Sequence, residues 1–238
     1  MYELIDSNAD FLVVNKQSGV SVHDEDGCGL IKQLRNDLSH SSIVPVHRLD
    51  KATSGLLLCA KNNTANRELS QLFQHRKIEK YYLALSNKKP SKKQGLIVGD
   101  MERTRKGSWK LCKTRDNPAI TQFFSYGLGD GQRLFVLKPH TGKTHQLRVA
   151  LKSIGAPIMG DLRYNSIVKS ETNNDMSLHA YSLRFVLGEH AYSYVCLPTG
   201  TGFTHSATQY VKEQLNEPWG LSWPKVTVST VNKPQALR

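Results

Sequence analysis

The segment His47-Arg48-Leu49-Asp50-Lys51-Ala52-Thr53-Ser54-Gly55, running directly into Leu56-Leu57-Leu58-Cys59-Ala60, constrains the fold most strongly. A short, continuous apolar run of this kind must be buried, and Gly55 to Ala60 reads as a central strand. The polar loop ahead of it is then held at the edge of a core. Such a loop suits an ordinary turn, in which Asp50 bonds to amides of Lys51–Ser54. It suits equally a carboxylate fixed for chemistry. The segment alone leaves both readings open.

The surrounding pattern alternates strands and helices. Asp10 to Asn15 reads as a buried strand, with Val20-Ser21-Val22 as a second short one after a turn at Gly19. Leu30, Ile31, Leu34 and Leu38 fall at helical spacing. Ile43 to Val46 is extended, with Pro45 pointing to an edge or a strand end. Asn62 to Arg76 is the clearest helix: Asn62, Asn63 and Thr64 offer caps, and Ala65, Leu69, Leu72 and Phe73 share one face. Strands are expected over Ile78–Leu85, Ile120–Tyr126, Arg133–Leu137, Leu178–Val186 and Tyr192–Leu197, with Gly127 to Gly131 as a loop. Helices are expected over Thr144–Ser153 and Ser206–Leu215. The basic, turn-rich stretch Lys88–Lys93 is a loop, and Met101 to Arg115 reads as a basic hairpin face. Asn165 to Ser177 is polar. The reading divides the chain into a folded unit over 1–224 and a polar tail over 225–238.

The one strong compositional bias is charge. With 32 Lys and Arg against 20 Asp and Glu, the net charge is +12. That excess favours a polyanionic partner, nucleic acid ahead of a membrane surface, since no basic amphipathic helix stands out. No apolar run approaches the roughly 20 residues of a membrane span, and the N-terminus has no signal-peptide pattern. The four cysteines are scattered without a C-x-x-C, which points to reduced thiols in a cytosolic protein.

Familiar catalytic signatures fail in turn. Gly142-Lys143-Thr144 resembles the end of a P-loop, but position 137 is leucine where the first glycine belongs. No G-x-S-x-G elbow, H-E-x-x-H or zinc-deaminase pattern is present, so no metal site is expected.

Three polar clusters remain at the edges of apolar segments: His47-Arg48-Leu49-Asp50, Lys80-Tyr81-Tyr82, and Gly142-Lys143-Thr144-His145-Gln146-Leu147-Arg148. Together, HRLDKATSGLLLCAK, K-x-Y-x-A at Lys80 to Ala84, and TGKTHQLRVALKSIGAPIMGD resemble the RluA-type pseudouridine synthases. The resemblance runs from FLVVNKQSGVSVH to LHAYSLRF at Leu178 to Phe185, in the family's order. The chain departs from the family at Gln17, Lys143 and Ala150. It also starts directly in the catalytic pattern, without the accessory RNA-binding domain of some relatives.

The resemblance implies an α+β fold, built on a mixed, largely antiparallel sheet with flanking helices and a central RNA-binding cleft. It implies conversion of a uridine in structured rRNA or tRNA to pseudouridine. The C1′–N1 bond breaks, the base turns, and C5 joins C1′, with no cofactor required. Asp50 matches the catalytic carboxylate, attacking C1′ or C6 or removing a ribose proton. Arg148 matches an arginine that offsets the desolvation of that carboxylate. Tyr82 matches the tyrosine that stacks on uracil and assists proton transfer at C5. Arg48 matches the residue that fills the space of a flipped-out base, and Leu183 helps wall the pocket. The partner is RNA, and the expected state is a cytoplasmic monomer. His47 and His145 are read as residues that hold loops. Two competing readings remain, a catalytically silent RNA-binding protein on the same scaffold and, more remotely, a nucleotide hydrolase using Gly142-Lys143-Thr144.

Overall fold

The computed structural model describes residues 1–23, 29–104, 107–165 and 175–226. In chain order its strands are β1 (Tyr2–Ser7), β2 (Phe11–Lys16), β3 (Val44–Pro45), β4 (Ser54–Ala60), β5 (Glu79–Ser86), β6 (Gln94–Gly99), β7 (Met101–Arg103), β8 (Trp109–Leu111), β9 (Ala119–Gly129), β10 (Gln132–Pro139), β11 (Leu178–Leu187) and β12 (His190–Val195). Its α-helices are α1 (Leu30–Asp37), α2 (Asn63–Gln74), α3 (Gln146–Ser153) and α4 (His205–Gln214).

One large sheet runs β1-β2-β4-β11-β5-β10-β9-β6, with β12 paired to β11 and β3 to β4. Among the described pairs only β4 with β11 is parallel, so the α+β expectation of a mixed, largely antiparallel sheet holds. The leucine run is the centre it was expected to be. Leu56, Leu57, Leu58, Cys59 and Ala60 are all fully buried. Alternation sends Leu57 and Cys59 toward α1, and Leu56 and Leu58 toward α2. On the other half of the sheet, Phe135 and Leu137 pack on α3, while Leu134 and Val136 pack on α4. Tyr82 packs against both the α1 and the α3 cores, which places those two helices on one face.

Gly55 makes the β4–β11 pairing possible. Its φ is +106°, and a Cβ there would lie 2.3 Å from the Ala180 carbonyl oxygen. Only glycine permits this approach of two backbones. The pairing His179↔Ser54 and Ala180↔Gly55 fixes where the Asp50 loop enters the sheet.

Four details differ from the sequence expectations. Val20 to Val22 is not a strand. Its Ser21 and Val22 carbonyls instead accept the first amides of α1, from Leu30 and Ile31, leaving them unavailable to a sheet. β9 continues to Gly129, because the loop is only the two-residue turn Asp130-Gly131, with φ of 47° and 73°, the geometry of a type I′ hairpin. β1 and β6 were not anticipated. β1 is a polar edge strand with weak alternation, and β6 is a short run after a basic loop. α3 begins at Gln146 rather than Thr144, since His145 takes a left-handed conformation. Most of the stretch read as a polar tail, and most of polar Asn165–Ser177, lie outside the described residues.

Candidate active site

A cleft of about 590 Å³ opens on the α1–α3 face of the sheet. It is bordered by the loop carrying Arg48 and Asp50, by Lys80 and Tyr82 on β5, by the 139–148 segment, and by Leu178. The three polar clusters singled out in the sequence thus meet at one place. Lys80 and Tyr82 reach it together because residues two apart on a strand share a face.

The turn after Asp50 is closed by backbone, with the Asp50 carbonyl accepting the Thr53 N–H at 2.9 Å. The Asp50 carboxylate is therefore not used up in capping its own turn. Its Oδ2 instead accepts from Arg148 Nη1 at 3.2 Å. Oδ1 has no hydrogen-bond partner among the described residues. The loop is anchored from beneath by Lys16, whose side chain is fully buried. Its Nζ donates to the carbonyls of Gln17 (2.9 Å), Val20 (2.8 Å) and Lys51 (3.1 Å). On the other side, His47 Nε2 accepts the Leu58 N–H at 3.0 Å, and its ring stacks on Phe73. Burial first, and then Lys80, push the His47 pKa down to about 3, so the ring is neutral and holds the loop, as expected.

Arg148 is only 8% exposed, in the first turn of an almost wholly buried helix. A charge there requires partners. The guanidinium grips Asp161 bidentately, Nε to Oδ2 and Nη2 to Oδ1 at 2.8 Å each, and leaves Nη1 for Asp50. It also stacks over Tyr164 at 5.0 Å. Desolvation opposes the charge, but the hydrogen bonds to Asp161 and the two nearby carboxylates outweigh it and hold the pKa above its ordinary value. Asp161 is itself fixed by the backbone amides of Arg163 and Tyr164.

α3 is presented to the cleft by Gln146. Its Oε1 accepts from Thr141 Oγ1 (2.7 Å) and the Lys143 amide (3.1 Å). Its Nε2 donates to the Ile120 carbonyl (3.1 Å) and Thr121 Oγ1 (3.0 Å). A buried amide with all these bonds made is a rigid fixture. That accounts for the Gly142–Gln146 motif without a nucleotide phosphate.

Tyr82 is half-buried, and its hydroxyl has no hydrogen-bond partner among the described residues. Burial first, and then the Asp50 charge, raise its pKa far above the ordinary value, so the phenol stays protonated. Lys80 is pulled down to about 8, by burial and then by Arg76, and its ammonium has no carboxylate partner among the described residues. Arg48 is exposed on the cleft wall.

Leu183 is the exception among the expected site residues. It is 2% exposed and packs with Phe11, Leu56, Leu58 and Leu69 on the α2 side. The register of β11 shifts between Ala180 and Ser182, so simple alternation does not relate the two leucines, and the one that walls the cleft is Leu178, five residues earlier. The sequence reading also gave no role to Asp161, Tyr164 or Lys16. Asp161 and Lys16 are charged residues inside otherwise apolar or turn-forming stretches, the one signal that marked them.

Comparison with known proteins agrees with this geometry. A family model described as RNA pseudouridylate synthase matches residues 10–153. An uncharacterized RNA pseudouridine synthase of Haemophilus influenzae is 48% identical over 214 residues, covering 90% of this chain and 95% of that protein. The dual-specificity RNA pseudouridine synthase RluA of Escherichia coli is 34% identical over 180 residues, covering 72% and 81%. The structure of human RNA pseudouridylate synthase domain containing 1 superposes with a TM-score of 0.70 at 29% identity, covering 82% of this chain and 83% of that one. The chain belongs to the RNA pseudouridylate synthase family, and within it to the RluA type. It is accordingly an isomerase acting on RNA.

Proposed function

We propose that the protein isomerises a specific uridine of structured rRNA or tRNA to pseudouridine, with Asp50 as the reacting carboxylate. The observation that carries this reading is the Asp50 carboxylate itself. One oxygen is tied to Arg148 and the other has no hydrogen-bond partner among the described residues, beside Tyr82, in a cleft bordered by basic residues. A carboxylate facing a cleft built for a polyanion opposes binding, so its presence there calls for a chemical use.

In this reading the work is divided among four side chains. Asp50 acts through its unpartnered oxygen on C1′ or C6 of the nucleotide, or on a ribose proton. Arg148 fixes the other oxygen and neutralises part of the charge before substrate arrives. Tyr82 offers its ring to the uracil face. Because its phenol stays protonated, it serves as a hydrogen-bond donor rather than as the base that first takes the C5 proton. A uridine within folded RNA reaches such a cleft only when turned out of its stack, at a cost of a few kcal/mol. Arg48, exposed on the rim, is placed to fill the gap left behind. Lys80, Arg76 and Lys143 border the cleft where the phosphate backbone would run. The work is cytoplasmic in this reading.

An active enzyme is favoured over a silent RNA-binding scaffold by the same carboxylate, which binding of a polyanion alone does not need. Pseudouridine mapping of total RNA from cells with and without the protein tests the proposal. A site that disappears on deletion and returns with the wild-type protein supports it. Identical maps would overturn it.

A further inference from the structure

His145 caps α3 in an unusual way. Its φ is +58°, a left-handed conformation few non-glycine residues adopt, and its side chain makes no capping hydrogen bond to the helix. The ring is turned to other use. Nδ1 lies 2.8 Å from the phenol oxygen of Tyr164, and Nε2 lies 4.0 Å from Asp50 Oδ2.

The hydrogen bonds favour one tautomer of the ring. The backbone N–H of Trp109, on the β7–β8 hairpin, donates to the Tyr164 oxygen at 2.9 Å. The phenol proton then has Nδ1 of His145 as its acceptor among the described residues, so Nδ1 presents its lone pair. In that tautomer the proton of the neutral imidazole sits on Nε2, facing Asp50. The charged groups around the ring are Asp50 on its loop, Arg148 on α3, and Asp161 and Arg163 on the following loop. Burial and the two arginines lower the His145 pKa against the opposing pull of the carboxylates, so the ring is held neutral.

Both Arg148 Nη1 and His145 Nε2 face the same oxygen of Asp50, Oδ2. We propose that His145 is a positioning residue for Asp50. Oriented by Tyr164 and the Trp109 amide, its Nε2–H provides a second anchor for Oδ2 when RNA fills the cleft, leaving Oδ1 to face the nucleotide. The 4.0 Å gap is longer than a hydrogen bond, and catalytic bonds commonly tighten by this order on substrate binding. Neutrality matters, since a protonated ring would form a full ion pair with Asp50 and draw the carboxylate away from the nucleotide. This inference rests on the reading of Asp50 as the reacting carboxylate.

Isomerisation exchanges C5–H and N1–C1′ for C5–C1′ and N1–H, releasing the C5 hydrogen to solvent. Tritium release from RNA of cells lacking the protein, labelled with 5-tritiated uridine, therefore reads the reaction. Single-turnover rate and half-saturating enzyme concentration are measured separately, from pH 5 to 9. His145→Ala and Tyr164→Phe are expected to slow turnover roughly 10- to 100-fold, with half-saturation unchanged. His145→Gln, whose amide N–H can replace Nε2–H, is expected to recover to within about threefold of wild type. In Tyr164→Phe the ring loses the donor that favours its neutral form, so the acid limb of the rate profile is expected to move to higher pH. His145→Gln has no such limb from this group. A wild-type rate and profile in His145→Ala would overturn the proposal. So would a loss that His145→Gln fails to restore at unchanged melting temperature. If Asp50→Asn itself retains tritium release, the reading of Asp50 fails instead, and the two failures are thereby told apart.

Discussion

Arg148 binds Asp161 with two nitrogens and Asp50 with one, so the buried carboxylate holds the arginine and the arginine holds Asp50. Asp161 lies only 13 residues from Arg148, whereas Asp50 lies 98 away. The local pair makes the guanidinium rigid, and the rigid guanidinium then supplies a single directed N–H to the long-range partner. A lone arginine opposite Asp50 would be free to close on both carboxylate oxygens.

Replacing Asp161 by Asn tests this arrangement. Breaking a buried pair by removing one charge costs about 3–5 kcal/mol, so urea unfolding should show a loss of that order. Tritium release should also fall by roughly 100-fold, since a misplacement near 1 Å suffices for that. A variant with wild-type stability and rate would mean the Asp161 grip is dispensable.

Tyr82 separates chemistry from binding. Tyr82→Ala should reduce turnover by at least roughly 100-fold while RNA affinity changes by less than about threefold, because phosphate contacts around the cleft survive. Tyr82→Phe keeps the ring and should bind RNA normally, isolating the contribution of a hydroxyl that has no hydrogen-bond partner among the described residues. Filter binding and tritium release on the same preparations check both. Equal losses of affinity and turnover would point to a structural tyrosine.

Lys16 supports the Asp50 loop through three carbonyls, one of them that of Lys51. Lys16→Met leaves those part-buried acceptors without their donor, at about 1–3 kcal/mol for each one that water does not reach. Denaturant unfolding should show a loss of several kcal/mol. Faster amide exchange around residues 50–53 should accompany it.

Acid should weaken the fold through two neutral rings, the buried His179 and the half-buried His47. Burial holds His47 at about 3 and His179 at about 4, with the Cys196 carbonyl opposing the shift in His179. In the unfolded chain both titrate near 6.5. Below that value the unfolded state binds protons that the folded state refuses. Stability is therefore complete above about pH 6.5 and drains away as the pH falls toward 4. Thermal melts between pH 7 and 4 should show this slope. His179→Gln should flatten it while lowering the melting temperature at pH 7, because the ring bonds both Ser54 Oγ and the Cys196 carbonyl.

Much of the site was legible because its chemistry sits in short motifs beside apolar runs. The leucine run located the central strand, and the resemblance to the RluA-type synthases brought Asp50, Tyr82 and Arg148 together. What escaped depends on facing and on pairing. Leu183 and Leu178 are both apolar residues of one strand, and only the sheet's two cores tell which one faces the cleft. Asp161 lies in a quoted motif, yet its grip on Arg148 depends on how the loop after α3 folds back. His145 was read as a loop residue. Its contact with Asp50 depends on a left-handed backbone and on a hydrogen bond to Tyr164 that no spacing rule encodes.

The most direct measurement of the central claim is the conversion of 5-tritiated RNA by Asp50→Asn, set beside its RNA affinity. This substitution removes the carboxylate charge and keeps the side-chain shape. Turnover should fall by roughly a thousandfold or more, with affinity within about threefold of wild type. Turnover within tenfold of wild type would contradict the account.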